Sequence, residues 1–459
     1  MLRKLHLFGI LMGLMAGHFA LAERGIQVDQ LKTGQKFIVE EDHSLPIIRI
    51  YTVLRSGSIW DPKQYEGLTA FMGEMMLRGT KNRSRSQITD ELDQLGADIS
   101  VDVGSESISV TGYTLTRNLD QFLEIYGDVI LNPSFDAKEL EKLKRETLSD
   151  LKQMRENDQE LVGRFFKREL FQKHPYGMST DGMESTVSRI YRDKVVEIYQ
   201  RFFVRDNIFF SAVGDLNAKA LGEKLASMFS TLPQRKTAAF QYPKFDPIKG
   251  RTLLLVNKPE RTQTQIMIGH YGIEVTHPDY FPLMIANNAF GGSFTSRLMH
   301  EVRVKRGWSY GAYSWFRPRL KPGEFSMWVM PASKDTLPTL KLMLELYEAY
   351  AKEGITQEEF DRSKKNLVNE YAFKIDTAAK RVGQYISIEL MGLPKDYLET
   401  YQANLKKVTL EEANQVIQKI SNPKDLVMTM VCTASEFKKQ LPSVLGKDIQ
   451  VIVKSYKDE

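Results

Sequence analysis

The sequence predicts an α+β protein made of two domains, and three observations carry that expectation. The chain has 459 residues, against roughly 100–200 for an ordinary single core. Each half opens on short β-branched runs and then passes into longer helical periodicity. Between the halves, residues 233–250 hold Pro233, Pro243 and Pro247 among many polar neighbours, a composition that suits an interdomain linker. The expected organisation is a leader at 1–22, a first domain at 23–232, the linker at 233–250 and a second domain at 251–459.

The leader reads as a secretory signal. Arg3 and Lys4 precede an apolar stretch from about Leu5 to Phe19, and Ala20-Leu21-Ala22 supplies a small-x-small cleavage site. An uncleaved anchor is the alternative, but the run is short and His6 and His18 limit it. No later segment is long and apolar enough to span a bilayer, so no membrane span is expected after cleavage. In the first half, 36–40 and 47–53 read as strands. A turn with Gly57 and Asp61-Pro62 leads into a helix over 66–78. Residues 86–95 read as a short helix with capping residues at its 86–91 start and Gly96 as its stop. The alternating runs 98–103 and 107–111 flank Gly104-Ser105-Glu106 and read as a β-hairpin. Helices follow at 117–130, stopped by Asn132-Pro133, and at 137–157. Helical patterning continues to Gln172 until His174-Pro175-Tyr176-Gly177 breaks it. A returning strand is expected at 207–213. The second half repeats the order, with strands at 252–256 and 264–269, a helix at 280–290, strands at 309–316 and 324–329, and helices at 337–352 and 357–375.

Bulk composition excludes some partners. The formal net charge is +5, and it falls to +3 once Arg3 and Lys4 leave with the leader. That is too small and too dispersed for a nucleic-acid partner. Cys432 is the sole cysteine, so no intramolecular disulfide forms, and an exported chain without disulfides fits a bacterial periplasm. Beyond the leader stand His43, His174, His270, His277 and His300. No two are spaced as joint metal ligands on one element, and each reads as a surface or turn histidine. His300-Glu301 on a helix is a very weak zinc signal.

Residues 67–80 read Gly-Leu-Thr-Ala-Phe-Met-Gly-Glu-Met-Met-Leu-Arg-Gly-Thr. This run resembles the zinc helix of the insulinase/pitrilysin (M16) metallopeptidases, usually Gly-Leu-Ala-His-x-x-Glu-His-Met-x-x-x-Gly-Thr. An H-x-x-E-H helix sets two imidazoles one turn apart on one face, and the intervening Glu takes the proton from metal-bound water. Here the flanks agree and the chemistry does not. The ligand histidines fall on Ala70, which has no donor atom, and on Glu74, a carboxylate alone on its helix face. The base falls on Gly73, which has no side chain. The resemblance puts the distal glutamate ligand at or next to Asp150, one methylene shorter; otherwise Asp150 reads as an ordinary helix carboxylate. The expectation is therefore no catalytic residue and no bound metal in this chain.

The resemblance covers essentially the whole mature chain, including Arg78-Gly79-Thr80, Leu95-Gly96-Ala97, Asn132-Pro133 and His174-Pro175-Tyr176-Gly177. In the second half, Gly291-Gly292-Ser293-Phe294-Thr295-Ser296-Arg297-Leu298 resembles the family's Gly-Gly-x-x-x-Ser-Arg-Leu turn into a helix. The run from Glu301 to Tyr310 resembles its Glu-x-Arg-Glu-x-x-Gly-Leu-x-Tyr segment. In the family that arginine and tyrosine reach across a closed chamber toward substrate at the zinc site, which implies such roles for Arg303 and Tyr310, with Gly291 and Gly292 at the chamber wall. A guanidinium fork suits peptide carbonyls and a phenol suits a developing oxyanion. A structural salt bridge for Arg303 and a core position for Tyr310 are the plainer alternatives. Gly291-Gly292 lacks the spacing of a phosphate-binding loop. Trp308, Tyr313, Trp315 and Phe316 read as core or interface packing.

The resemblance implies two homologous domains, each a largely antiparallel sheet covered by helices, in the M16/LuxS-like metallohydrolase fold. The leading functional expectation is a zinc-less, substrate-binding subunit of a heterodimeric periplasmic metallopeptidase. Its partner would be a homologue carrying H-x-x-E-H and the Zn2+, and the pair would act on peptides or unfolded polypeptide. A catalytically dead scaffold or peptide-binding protein is the second reading. An autonomous peptidase using Glu74, Asp150 or an unrecognised site is the third.

Overall fold

The computed structural model describes residues 25–446 and 449–458, so the leader expected at 1–22 lies outside the described residues. Two six-stranded sheets carry the fold. The first comprises β1 (Gln27–Gln30), β2 (Lys36–Glu41), β3 (Ile47–Leu54), β4 (Asp98–Val103), β5 (Ile108–Leu115) and β6 (Ile208–Gly214). The second comprises β7 (Arg251–Asn257), β8 (Gln265–Tyr271), β9 (Ser309–Arg317), β10 (Glu324–Pro331), β11 (Leu426–Cys432) and β12 (Gln450–Ser455). Their orders are β1-β2-β6-β3-β5-β4 and β12-β7-β11-β8-β10-β9. Five strands correspond one to one, with β2, β6, β3, β5 and β4 matching β7, β11, β8, β10 and β9. The sixth position differs: β1 pairs antiparallel with β2, whereas β12 returns from the chain end parallel to β7. Among the described strand pairs, only β2–β6, β7–β11 and β7–β12 run parallel. The weak sequence repeat is thus a repeat of topology.

Five helices of the first half matter below: α1 (Leu68–Met76), α2 (Arg85–Leu95), α3 (Leu119–Leu131), α4 (Ala137–Met154) and α5 (Asp158–Phe171). Helix α2 starts one residue earlier than its sequence pattern suggests. Ser84 is the N-cap; its hydroxyl accepts from the Gln87 amide at 3.3 Å while Gln87 Oε1 accepts from the Ser84 amide at 2.8 Å. That reciprocal pair satisfies two orphan donors at once, which Ser86 inside the first turn cannot do. The helical patterning of 137–172 is two helices. The break falls at Arg155–Asn157, and Asn157 caps α5 by accepting from the Gln159 and Glu160 amides.

The break redirects α5 out of its own half. Its apolar stripe of Leu161, Val162, Phe165, Phe166 and Leu170 lies on the second sheet, against Leu254 and Val256 of β7, Met267 of β8 and Val427 and Val431 of β11. Burying five such side chains stabilises by ~1.5–3 kcal/mol each. Gly269 on β8 makes room, because a Cβ there would stand 2.9 Å from the Phe166 ring. The exchange is reciprocal. The helix Ala378–Met391 from the second half covers β2 and β6, packing Val382 near Val213 and Ile386 near Ile38 and Phe209. Arg381 of that helix grips buried Glu40, its Nε lying 3.1 and 3.0 Å from the two carboxylate oxygens.

Residues 233–250 form no regular element, but they are a fixed strap. Phe240 packs edge-on to Trp60 at 4.9 Å, and Phe245 stacks on His174 at 4.2 Å. His174, expected as a surface or turn histidine, does cap the turn Pro175–Gly177 but is not at the surface. It is buried; its Nδ1 accepts from the Tyr176 amide at 3.2 Å, and burial holds its pKa down to about 4. His270 is corrected likewise. It sits in the second core, with Nδ1 2.7 Å from the Tyr271 carbonyl oxygen and Nε2 2.5 Å from the Tyr347 hydroxyl.

Candidate functional site

Helix α1 is anchored at its start by Asp61. This buried carboxylate accepts from the Gly67 amide at 3.1 Å, the Thr69 amide at 3.0 Å and the Thr69 hydroxyl at 2.5 Å. Burial raises its pKa to about 7. So held, α1 presents Ala70 and Glu74 to a cavity of about 470 Å3, with Asp150 of α4 also in its wall. The geometry therefore brings together the three positions at which the resemblance expected ligands. The residues at those positions do not fit zinc. A catalytic zinc needs three protein ligands, and here two carboxylates face an alanine. Among the described residues, no group of three or more His, Cys, Asp or Glu side chains gathers to hold a metal.

Gly73 does not face this cavity as a vacant base would. It is buried under the edge strand β4, and a Cβ on it would lie 2.9 Å from Val101 Cγ1 and 3.1 Å from Val103 Cγ2. The missing side chain is replaced by the packing of two valines. Arg78, at the end of α1, also lines the cavity and pairs with Glu146 of α4 at 2.5 Å, which lowers the pKa of that carboxyl. A guanidinium thus stands among the acids of the cavity.

In the second half, Gly291 and Gly292 close a wide helical turn after the helix Tyr280–Asn287. A Cβ on Gly291 would lie 2.4 Å from Ser314 Oγ, and one on Gly292 2.9 Å from Asn287 Nδ2. Both glycines permit tight contacts, to β9 and to the preceding helix respectively. Arg303 lies 4.8 Å over the Phe294 ring. Tyr310 is 80% exposed, at a bulge where the β9–β10 register shifts between Ala312↔Val329 and Ser309↔Pro331. Such a bulge re-aims a side chain at a sheet edge. Phe294 and Val304 are exposed as well. Neither Arg303 nor Tyr310 lines the Ala70–Glu74–Asp150 cavity.

A second cavity, of about 510 Å3, adjoins the first and shares Glu160, Arg164, Thr180 and Asp181 with it. Its walls come from α5, the turn near Tyr176, and β9 and β10, including Lys167, Trp315, Arg317, Arg319 and Trp328. Sequence reasoning missed it because these residues stand far apart in the chain and read singly as surface cations and core aromatics. The one local signal is Trp315-x-Arg317 at the end of β9, where alternation sets the indole and the guanidinium on one face, with Arg319 two residues beyond.

Two family models match the chain. The insulinase (peptidase family M16) model covers residues 36–183, and the peptidase M16 inactive domain model covers 189–367. A Helicobacter pylori protein described as non-peptidase homolog YmxG is 25% identical over 427 residues, 93% of this chain and 96% of its own. The crystal structure of a peptidase M16 inactive domain from Pseudomonas fluorescens superposes with a TM-score of 0.81 at 24% identity, covering 89% of this chain and 97% of that one. The first half of the periplasmic protease PqqL from Escherichia coli gives a TM-score of 0.75 at 15% identity, covering 95% and 97%. At these identities the structural likeness establishes the fold.

Proposed function

The chain belongs to the insulinase (M16) peptidase family, and from that premise we propose that it is the substrate-binding, non-catalytic subunit of a heterodimeric periplasmic zinc metallopeptidase. Within the family it is a homologue whose own active-site helix lacks the peptidase groups. The observation that carries the proposal is the contrast between α1 and the rest of the molecule. Ala70 and Gly73 supply neither ligand nor base and Glu74 is a lone carboxylate on α1, yet the fold keeps a pair of adjoining cavities and a segment from Arg303 to the exposed Tyr310. Those two residues lie outside the chain's own relic site, which suits groups that act on a partner's site. Tyr310 would donate to the oxyanion formed on the scissile carbonyl, Arg303 would hold a peptide carbonyl, and the turn at Gly291 and Gly292 would border the substrate path.

On this reading the leader 1–22 is removed on export, and the domains 23–232 and 251–459 are joined by the strap 233–250. The periplasmic assignment rests on that leader, on the single cysteine and on the structural likeness to the periplasmic protease PqqL. The test is reconstitution. The chain is mixed with an M16 homologue from the same organism that carries H-x-x-E-H, and cleavage of an unstructured peptide is followed with and without chelator. The proposal expects no cleavage by this chain alone and chelator-sensitive cleavage by the pair, faster than by the partner alone. The Helicobacter pylori relative, a non-peptidase homolog by name, favours the second reading, a catalytically dead scaffold or peptide-binding protein. A partner that binds without gaining activity would decide for it.

A further inference from the structure

The two adjoining cavities differ in charge. The relic cavity is lined by six carboxylates and two guanidiniums, whereas the α5–β9 cavity is lined by five cations and two carboxylates. An anion is therefore repelled by one lobe and attracted by the other.

Not all five cations are committed. Arg168 pairs with buried Glu66 at 2.6 Å, and Arg317 pairs with Glu324 at 3.1 Å. Arg319 donates to Ser105 Oγ at 2.9 Å and lies 4.6 Å over the Tyr176 ring, with no carboxylate partner among the described residues. Lys167 is half-buried, and among the described residues its ammonium has neither hydrogen bond nor ion pair. Burial pulls its pKa below the ordinary lysine value, Glu324 opposes this, and Arg317, Arg319 and Arg164 pull further down. A half-buried cation among cations costs free energy until an anion joins it. The wall beside it is also left open. Gly163, one turn before Lys167 on α5, lines the cavity, and a Cβ there would meet nothing within 4 Å. Glycine inside a helix costs about 1 kcal/mol relative to alanine, and no neighbouring atom requires its absence of a side chain.

We infer that the α5–β9 cavity is a carboxylate subsite for an extended peptide, with Lys167 and Arg319 taking the anion and Trp315 packing on the adjoining residue. This rests on the peptide-binding part of the function proposed above, and it names the substrate class: segments bearing Asp, Glu or a free C-terminal carboxylate. The acidic lobe next door fixes the direction, with the anionic end of the segment lying away from α1.

The test uses the full chain without partner and three unstructured peptides of equal length. One carries glutamates and an amidated C-terminus, one carries glutamines and a free C-terminus, and one carries glutamines and an amidated C-terminus. Binding is followed by fluorescence anisotropy at low salt. The first or the second should bind at least roughly tenfold tighter than the third, since charge-assisted hydrogen bonds at a half-buried site are worth that much. Which of the two gains affinity separates a side-chain carboxylate from a chain terminus. Lys167→Met should remove the preference, while Lys167→Arg should retain it. Gly163→Phe should block the subsite by volume instead of charge. Equal affinity for all three peptides, or an unchanged preference in Lys167→Met, overturns the inference. Because no partner and no cleavage are involved, a failed reconstitution leaves this result standing, and an absent preference leaves the heterodimer reading standing.

Discussion

Filling the gap at Gly73 should destabilise the protein even with the smallest side chain. In an exposed helix, Gly→Ala gains about 1 kcal/mol. Here the new methyl would meet Val101 Cγ1 at 2.9 Å and Val103 Cγ2 at 3.1 Å, where carbon atoms rest comfortably at roughly 3.5–4.0 Å. Such overpacking costs ~1–3 kcal/mol. The net change for Gly73→Ala is then a loss of between about zero and 2 kcal/mol, in place of a gain. Val101→Ala alone removes two methyl groups from a half-buried site, a loss of about 1 kcal/mol. In the double variant the worst clash is gone and the helical gain returns, so the pair should couple favourably by ~1–2 kcal/mol. Urea unfolding of the four proteins at constant m-value measures this cycle. The reasoning fails if Gly73→Ala alone stabilises by about 1 kcal/mol, or if the two changes add within ~0.3 kcal/mol, because then no wall stands over Gly73.

The same wall bears on restoration of the motif. Ala70→His, Gly73→Glu and Glu74→His together should give a destabilised protein without stoichiometric zinc by metal analysis, and adding Val101→Ala should recover stability. In the reconstituted pair, Tyr310→Phe should lower kcat by on the order of 10²–10³ with no change in melting temperature, since the hydroxyl belongs to an exposed side chain; an unchanged kcat would make Tyr310 a bystander. Arg303→Lys should raise KM as Arg303→Ala does, because lysine lacks the planar fork, and a wild-type KM in the lysine variant would contradict that. Burial holds His270 down to about 4, so from pH 6.5 toward 4 the unfolded chain binds more protons than the folded one. Stability contributed by neutral His270 is full above pH 6.5 and should fall by about 2 kcal/mol by pH 5. His270→Gln keeps an acceptor for Tyr347, does not titrate, and should flatten that slope in urea midpoints. Asp61, raised to about 7, acts in the opposite sense between pH 3.8 and 7, so the slopes of the two proteins are compared at matched pH.

Much of the strand and helix order was legible because its signals are local. The hairpin β4–β5 follows from alternation around Gly104, and α3 and α4 follow from periodicity and the stop at Asn132-Pro133. What escaped the sequence was long-range. The apolar stripe of α5 has the period of any amphipathic helix, and nothing in it says that the surface it covers belongs to the other half. β12 joins the second sheet beside β7 across a separation that no local pattern reports. The burial of His174 and His270 was missed because turn and strand contexts fix where the backbone runs, while burial is decided by Phe245 and Tyr347 arriving from elsewhere. At the candidate site, the side chains missing at Ala70 and Gly73 and the lone carboxylate of Glu74 can be read from the sequence, since the identity of a side chain needs no structure. The reason Gly73 is glycine was not, because Val101 and Val103 come from a strand some thirty residues on.

The exchange of α5 and the helix Ala378–Met391 between halves has a consequence for biogenesis. Whether the chain emerges from a ribosome or from a translocon, the first sheet can be complete once Gly214 is out, but the helix that covers Ile38, Val53 and Phe209 ends only at Met391. At roughly 5–20 residues per second, that apolar face stays bare for about ten seconds or more. During this interval α5 has no complete sheet to lie on, since β7 and β8 emerge within it but β11, at Leu426–Cys432, is still to come when Met391 is out. Neither half can finish before the other, so the nascent chain presents two sticky surfaces for holding chaperones, and cutting the strap to express halves separately would leave each with an uncovered sheet.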